Sequence, residues 1–238
     1  MLIKILYLIC CFVQALMSSV NKVEDNLFVP AINILVAAAK ESEPAGKHIV
    51  YFLKPYYQLN FTNTPSERRI ILSSLLPFLK FCFTNKENNT VVVENFPHIS
   101  ELIELYINST SANDPEVRKL SFCGLQILIP GLDDLNRKRL YPIIIGEIKK
   151  EENEDARNEC LNAFRLLAEH YHLEITEVIN TYFQVNVNAF DGELEISRYL
   201  HALSKIADLP KFTNLVIPLL LNIIFNSSNY SNALSCLL

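Results

Sequence analysis

The chain has 238 residues, half of them apolar and 20% charged, so it is long enough to bury a substantial core. It has only five glycines and no tryptophan, which argues against a tight-turned β architecture and against a glycine-rich phosphate-binding loop. The formal net charge of -5 lacks the basic footprint of a nucleic-acid-binding protein and favours protein partners.

The N-terminal segment has two interpretations. Residues 2–17 are mostly apolar and are followed by Ser18 and Ser19, as in a secretory signal peptide. Five sequons for N-glycosylation agree with secretion. They begin at Asn60, Asn88, Asn108, Asn226 and Asn229. The segment is short for a membrane span, and it also fits the first helix of a repeat protein, which we favour because a repeat pattern follows it.

The first half of the chain is predicted to be helical. Helices are expected over 24–40 and 46–59, with a turn between them. Thr64-Pro65-Ser66-Glu67 is a strong helix start, with a capping hydroxyl, a proline at the first position and an acid in the first turn. That helix is expected to bury Ile70, Ile71, Leu72, Leu75, Leu76 and Leu79. Residues 85–97 are polar and then β-branched, which predicts a loop or insertion before a helix over 98–108.

The second half contains three predicted helix pairs. Asn113-Asp114-Pro115-Glu116 starts the first pair, because Asp114 can cap the helix. That helix is expected to bury Leu120, Leu125, Ile127 and Leu128 and to stop at Pro130-Gly131. The remaining helices are predicted over 133–150, 154–171, 173–185, 192–207 and 210–225. A further apolar helix starts at Ser228, so we interpret the chain as a fragment of a longer repeat protein.

Two recurring patterns predict a repeat. An apolar residue, a proline and two apolar residues occur together four times inside predicted helices, where proline removes a hydrogen bond and bends the axis. The prolines are Pro30, Pro77, Pro142 and Pro218. Arg118, Arg157 and Arg198 each lie near a helix start, 39 and 41 residues apart.

A period near 40 residues with two helices per unit is typical of HEAT and armadillo repeats. The sequence therefore predicts an all-α, HEAT/armadillo-type α-solenoid of about five to six helix pairs. We expect residues 1–238 to form a single α-helical repeat domain. Solenoids of this kind bind other proteins along an extended surface.

Candidate metal ligands are few. Cys160, His170 and His172 form a Cys-x9-His-x-His set, but this spacing matches no common zinc pattern. The two histidines are two residues apart and do not share a helix face, so we interpret them as polar groups at a helix end. The six cysteines form no C-x-x-C pair and lie in apolar helical stretches, as buried thiols in a reducing compartment do.

Candidate catalytic residues are also few. Ser121, Cys123 and Ser204 lack the His/Asp arrangement that nucleophilic catalysis needs, so we predict a protein that is not an enzyme and has no cofactor. No catalytic, cofactor-binding or metal-binding residue is assigned, and the protein-binding residues are unknown.

Two charged segments and two recurring arginines are also candidates for a function. Arg137-Lys138-Arg139 offers a contact to nucleic acid or an acidic partner, but such a cluster is more often a solvated helix face. The charged run 147–155 is expected to line the surface between repeats. Arg118 and Arg157 are interpreted as structural, in a position that makes inter-repeat hydrogen bonds in HEAT arrays.

The order of several phrases resembles one family. Asn26-Leu27-Phe28-Val29-Pro30 leads to Leu35-Val36-Ala37-Ala38-Ala39. Later phrases are Tyr56-Tyr57-Gln58-Leu59, Thr64-Pro65-Ser66, Arg69-Ile70-Ile71-Leu72, Leu76-Pro77-Phe78-Leu79 and Ile217-Pro218-Leu219-Leu220-Leu221. Over residues 20–238 this order is similar to the central part of the HEAT-repeat adaptors of the cytosolic iron–sulfur assembly targeting complex. That family was first named for methyl methanesulfonate sensitivity and nucleotide excision repair.

The resemblance implies a non-catalytic adaptor of the cytoplasm and nucleus that presents apo-enzymes of DNA replication and repair for iron–sulfur cluster insertion. Its implied partners are a WD-repeat propeller, a small acidic subunit and the apo-enzymes, without direct binding to nucleic acid or membrane. The family docks its assembly partners mainly through repeats that lie beyond Leu238, and no individual binding residue transfers. Two alternatives remain open: an importin-like cargo carrier, which the absence of tryptophan disfavours, and a secreted helical glycoprotein.

Overall fold

The computed structural model describes residues 64–83, 99–181 and 193–226, together with Cys11, Pro30 and Ile34. Every regular element in these ranges is a helix, as the sequence predicts. They are α1 (Pro65–Phe83), α2 (Ile99–Ser109), α3 (Pro115–Leu128), α4 (Asp134–Lys150), α5 (Glu154–His170), α6 (His172–Ile179), α7 (Glu193–Ser204) and α8 (Thr213–Asn226). A short 3-10 helix, Ile129–Gly131, extends α3.

The predicted helix limits agree closely with the structure, and the larger differences have local causes. Helix α7 ends at Ser204 and not at 207, because the chain turns where Ile206 N–H donates to the carbonyl of Leu203. Helix α8 begins at Thr213 and not at 210, because Phe212 N–H closes a turn onto Leu209.

Several predicted elements lie outside the described residues. They are the helices over 2–17, 24–40 and 46–59, the insertion 85–97, the helix from Ser228 and the end of the helix predicted to reach 185. The three described residues before position 60, Cys11, Pro30 and Ile34, are all helical.

The chain forms two compact units, Met1–Leu132 and Asp133–Leu238. In the described part of the first unit, α1 and α2 both pack against α3. In the second unit, α4 packs against α5 and α7, α5 packs against α6, and α7 packs against α8. The expectation of one repeat domain over 1–238 stays a prediction.

The core of the first unit is built around Tyr106, whose side chain is fully buried. Its hydroxyl donates a hydrogen bond to the carbonyl of Leu72 in α1 at 3.2 Å, and burial raises the pKa of Tyr106 so that this donor keeps its proton. A Cβ atom at Gly124 would lie 2.1 Å from Cε1 of the Tyr106 ring. Helix α3 can approach α2 this closely because residue 124 has no side chain.

The predicted buried faces are confirmed in their central residues. In α1, Ile71, Leu72, Leu75 and Leu79 are buried. In α3, Leu125 and Leu128 are buried. The four flanking members are only half-buried because they lie at the edge of each helix face; they are Ile70, Leu76, Leu120 and Ile127.

The recurring prolines lie within helices, as predicted, and each of them is exposed: Pro30, Pro77, Pro142 and Pro218. A proline removes the helical hydrogen bond to the carbonyl four residues earlier. For the prolines in α1, α4 and α8, those carbonyls belong to Ser73, Lys138 and Asn214, which are also exposed. The missing bond therefore falls on the side of each helix where water can hydrate the carbonyl and where a bend convex to solvent is favoured.

The two predicted helix starts are confirmed by their hydrogen bonds. Thr64 and Glu67 form a capping box, in which Thr64 N–H donates to Glu67 Oε2 at 2.8 Å and Glu67 N–H donates to Thr64 Oγ1 at 3.3 Å. Asp114 Oδ1 accepts from Glu116 N–H at 2.9 Å, and its Oδ2 accepts from Arg69 Nε at 2.9 Å. Asp114 thus caps α3 and joins it to α1.

Removal of the Asp114 side chain is expected to destabilise the first unit. We expect Asp114→Ala to lower the free energy of unfolding by about 1–2 kcal/mol, because the α3 cap and the contact with Arg69 are both lost. Asp114→Asn is expected to lose less, because asparagine caps a helix as well as aspartate does. Urea unfolding followed by circular dichroism measures both, and an equal loss in the two variants would contradict the capping role.

Asp114 also makes the free energy of unfolding depend on pH in the acidic range. Burial alone would raise the pKa of Asp114, but hydrogen bonds from Arg69 and from the backbone N–H groups of Glu116 and Val117 outweigh it and lower that pKa. A carboxyl group with a lowered folded pKa stabilises the fold above its unfolded pKa of about 3.9, and this contribution is lost as the pH falls through the folded pKa. In acid, the free energy of unfolding of Asp114→Asn should therefore fall less steeply than that of the wild type.

Candidate functional site

The candidate metal ligands do not converge. Cys160 is fully buried in α5, with its Sγ 3.6 Å from the carbonyl oxygen of Ile144, and burial raises the pKa of its thiol. His170 is the exposed last residue of α5, and His172 begins α6 with its Nδ1 3.3 Å from Lys211 Nζ. Within the described ranges, no group of three or more His, Cys, Asp or Glu side chains is placed to hold a metal ion.

The candidate nucleophilic hydroxyls bind backbone carbonyls. Ser121 is buried in α3 and donates to the carbonyl of Tyr106. Ser204, at the end of α7, donates to the carbonyl of His201 at 2.8 Å. The Ser204 bond is a local hydroxyl-to-carbonyl bond of the kind that serine commonly makes in helices, whereas the Ser121 bond joins α3 to α2. Cys123 is half-buried in α3.

The three residues of the basic cluster at 137–139 lie in different environments. The guanidinium carbon of Arg137 lies 4.2 Å from the ring centroid of Tyr171, and its Nη2 lies 3.5 Å from Glu174 Oε1. The Arg137 side chain is only 15% exposed, whereas Lys138 is exposed and Arg139 is half-buried. The interpretation as a solvated helix face is wrong for Arg137, because its stem and charge are used to pack against an aromatic ring.

Arg137 joins α4 to the junction between α5 and α6. Tyr171 leaves the helical conformation there, with φ -130 and ψ 56, and its N–H donates to the carbonyl of Leu167 at 2.8 Å. One turn after Arg137 in α4, Tyr141 is buried, and its hydroxyl interacts with the charges of Arg137 and Glu174. Burial and then the charge of Glu174 raise the pKa of Tyr141 to about 12. This junction is a packed structural contact that sequence reasoning missed, because 34 positions separate Arg137 from Tyr171.

Two of the recurring arginines close the loop that leads into their own helix. Arg118 Nη1 donates to the carbonyl of Ala112 at 2.8 Å, and Arg157 Nη1 donates to the carbonyl of Glu151 at 3.2 Å. Each acceptor lies six residues before its arginine. The structural interpretation is therefore confirmed: each arginine binds the segment before its own helix, and Glu151 is the residue that ends α4, the second helix of the preceding predicted pair.

The C-terminal end of α4 is a buried polar cluster. Glu147 and Glu151 are 3% and 2% exposed, and Lys150 Nζ lies 2.7 Å from Glu147 Oε1. Arg198 of α7 donates to the carbonyl of Lys149. The expectation that the run 147–155 lines the surface is wrong for these two glutamates. It is confirmed for the exposed acids of the run, Glu152, Glu154 and Asp155.

Another contact that the sequence did not reveal joins α5 to the turn after α7. Arg165 Nη1 and Nη2 bind the two carboxylate oxygens of Asp208 at 2.6 and 3.0 Å. The hydrogen bond from Arg165 is the main cause that lowers the pKa of Asp208. A bidentate pair of this kind fixes the orientation of both groups.

Helix α4 also has an outward row in which four residues are exposed and one, Gly146, is half-buried. Its members recur at intervals of three or four residues and therefore lie in one row along the helix. They are Leu135, Lys138, Pro142, Gly146 and Lys149, and we call this row the α4 face. Leu135 is 68% exposed, and a Cβ atom at Gly146 would meet nothing within 4 Å. The face combines apolar, small and cationic residues.

Large apolar side chains are exposed on other helices of the same unit. Leu173 and Leu194, each the second residue of its helix, are 68% and 65% exposed. Ile217 and Leu221, one turn apart in α8, are 45% and 43% exposed. No described helix is both long enough and apolar enough to cross a membrane.

Comparison with known proteins informs the fold. No protein-family model and no curated protein matches the chain. Among solved structures, a designed armadillo repeat protein in complex with the peptide (KR)4 is similar with a TM-score of 0.52 and 14% identity, covering 94% of this chain and 98% of that one. An engineered protein, a Northeast Structural Genomics Consortium target, is similar with a TM-score of 0.52 and 16% identity, covering 94% and 97%.

At 14% and 16% sequence identity, the similarity to these two structures establishes the fold and not the function. It agrees with a chain whose described elements are all helices, and with the repeat period near 40 residues. The predicted fold class is confirmed: the chain has an all-α, armadillo-type repeat fold.

Proposed function

We propose that this chain is a non-catalytic scaffold that binds other proteins. The observation that carries the proposal is an armadillo-type repeat fold that leaves large apolar side chains exposed on α4, α6, α7 and α8. Repeat folds of this type offer extended surfaces to partners, and exposed apolar groups rimmed by charge are typical of such surfaces. The designed armadillo neighbour was solved with a bound peptide, which is the same class of ligand.

Within that class, we propose that the chain acts as an adaptor in cytosolic iron–sulfur protein assembly, in the cytoplasm and nucleus. The order of sequence phrases over residues 20–238 supports this assignment. Cys160 is buried and burial raises the pKa of its thiol, so this cysteine is not suited to ligate a cluster. The proposed partners are a WD-repeat protein, a small acidic subunit and iron–sulfur apo-enzymes.

Incorporation of radioactive iron tests this adaptor role. Cells depleted of the protein are supplied with labelled iron, and a DNA helicase or polymerase that carries a cluster is then immunoprecipitated. We expect less iron per enzyme molecule after depletion and recovery when the protein is expressed again, with an iron–sulfur enzyme of mitochondria as the unaffected control. Unchanged iron in the nuclear enzymes would contradict the adaptor role.

A further inference from the structure

Four basic side chains of the second unit lie together beside the C-terminal end of α4. Helix α4 packs against both α5 and α7, and Arg157 of α5 and Arg198 of α7 each donate to a carbonyl at the end of α4. His201 and Lys205 follow Arg198 at intervals of three and four residues, so they lie on the same face of α7. We call Arg157, Arg198, His201 and Lys205 the α5–α7 cluster; each is half-buried.

The cluster lacks a counter-ion. None of its four side chains has a carboxylate partner within the described residues. The ring of His201 and the Nζ of Lys205 have no hydrogen-bond acceptor there either. The Nε of Arg198 is shielded from solvent and also lacks an acceptor among these residues. An anion that supplied acceptors to these donors would therefore bind favourably.

The electrostatic potential at His201 is positive, although the chain has a net charge of -5. Burial is the largest cause that lowers the pKa of His201, and the charges of Lys205 and then Arg157 lower it further. Arg157 thus acts on His201 from α5, and Lys205 acts from the same helix. A bound anion would relieve this repulsion between like charges.

Neighbouring acids limit the size of the positive region. Glu152 and Glu154 are exposed between the end of α4 and the first turn of α5. Asp208, in the turn after α7, is already held in a bidentate ion pair. Arg198 and Lys205 are seven residues apart, so the cluster extends about 10 Å along α7. A single compact anion fits this patch, whereas an extended polyanion such as a nucleic acid would also meet the exposed acids.

An apolar side chain lies next to the cluster. Leu194 is 65% exposed and precedes Arg198 by one helical turn on the same face of α7. It offers apolar surface to a residue that flanks the anionic group of a ligand. The combination therefore favours a peptide over a free anion.

We propose that the α5–α7 cluster binds a phosphorylated side chain in a segment of a partner protein. A phosphate group presents three strong acceptor oxygens and nearly two negative charges, which suits a site with two guanidinium groups. Arg157 and Arg198 bind its oxygens, His201 and Lys205 complete the site, and a flanking apolar residue packs on Leu194. This inference rests on the proposed function, because it names the chemistry of a partner that the scaffold binds.

A degenerate peptide library tests the site with the full chain. Each peptide has a central phosphoserine, phosphothreonine or phosphotyrosine and random flanking residues, and a phosphatase-treated copy of the library is the matched control. The immobilised chain is expected to retain phosphorylated peptides, with an apolar residue enriched beside the phosphorylated one, and to retain few peptides of the treated copy. Inorganic phosphate in excess should release them. Quantitative mass spectrometry measures the retained fraction.

A double variant removes two basic groups that make no hydrogen bond through their side chains within the described residues. His201→Gln with Lys205→Gln should lower the retention of phosphorylated peptides at least about tenfold, because charge-assisted hydrogen bonds are lost. Its urea midpoint should stay close to that of the wild type. Lys205→Arg keeps the positive charge and should keep most of the retention.

Two further variants separate the cluster from general charge and from the phosphate alone. Lys138→Gln removes an exposed lysine near the other end of α4 and should leave retention unchanged. Leu194→Ala should weaken the preference for an apolar flanking residue, while the dependence on the phosphate group is kept.

Three outcomes would overturn the site. These are equal retention of phosphorylated and treated peptides, an equal loss with Lys138→Gln, and binding of a labelled oligonucleotide in place of the phosphopeptides that is lost in the double variant. If the site fails while the endogenous protein still purifies with its partners, the proposed function stands and only this site is wrong.

Discussion

Replacement of Phe164 by alanine is expected to lower the free energy of unfolding by about 3–5 kcal/mol, the usual loss for a buried aromatic residue. Phe164 lies in α5 at 1% exposure and is among the largest fully buried side chains of the described residues. Its removal takes away apolar contacts and leaves a cavity that close-packed neighbours fill only in part. Urea unfolding followed by circular dichroism measures the loss.

An exposed leucine of the same unit provides the control. Leu173→Ala is expected to change stability by less than about 0.5 kcal/mol, because Leu173 is 68% exposed. In the first unit, Leu125 is fully buried, and Leu125→Ala should lose about 2–5 kcal/mol. Small losses at Phe164 and Leu125, similar to that at Leu173, would show that the assigned cores are wrong.

Gly124→Ala should also destabilise the protein strongly although it adds only one methyl group. That methyl would lie 2.1 Å from the Tyr106 ring, which is held by its own burial and by the bond to Leu72. The helices must separate or the ring must move, and overpacking of this kind loses about 1–3 kcal/mol or more.

Gly146 is the matched control, because it is also a glycine inside a helix but faces open space. Gly146→Ala should stabilise by about 0.5–1 kcal/mol, since alanine favours the helix and nothing obstructs its methyl group. The two variants should therefore move the urea midpoint in opposite directions. A shift in the same direction would contradict the close contact between α2 and α3.

Helix positions were predictable because the signals that start a helix are local. Thr64 with Glu67, and Asp114 with Glu116, place capping groups within three residues of the N–H groups that they satisfy. The sequence pattern alone therefore located α1 and α3. The recurring prolines were also correctly placed in helices, but their shared exposure became clear only from the fold.

Contacts between distant residues were not predictable from one sequence. Arg69 with Asp114 and Arg165 with Asp208 join positions more than 40 residues apart. No short pattern specifies such a pair, because it depends on how the helices pack. Glu147 was expected at the surface for the same reason: its charge suggests exposure, and only the packing around α4 shows that it is buried beside Lys150.

The α4 face shows a similar limit of sequence reasoning. The cluster at 137–139 suggested a basic contact, but only Lys138 of the three is exposed. The second exposed lysine of the row, Lys149, lies eleven residues later. It belongs to the segment 147–155, which contains both acidic and basic residues. The helix brings both lysines to one side, together with Leu135 and Gly146.

Affinity capture of the endogenous protein from soluble cell extract, followed by quantitative mass spectrometry, tests the adaptor role. We expect specific recovery of a WD-repeat protein together with iron–sulfur enzymes of DNA replication and repair. Recovery of nuclear transport factors would indicate an importin-like carrier. Recovery of a glycosylated chain from the secretory fraction, without these partners, would contradict the adaptor account and leave only the armadillo-type fold.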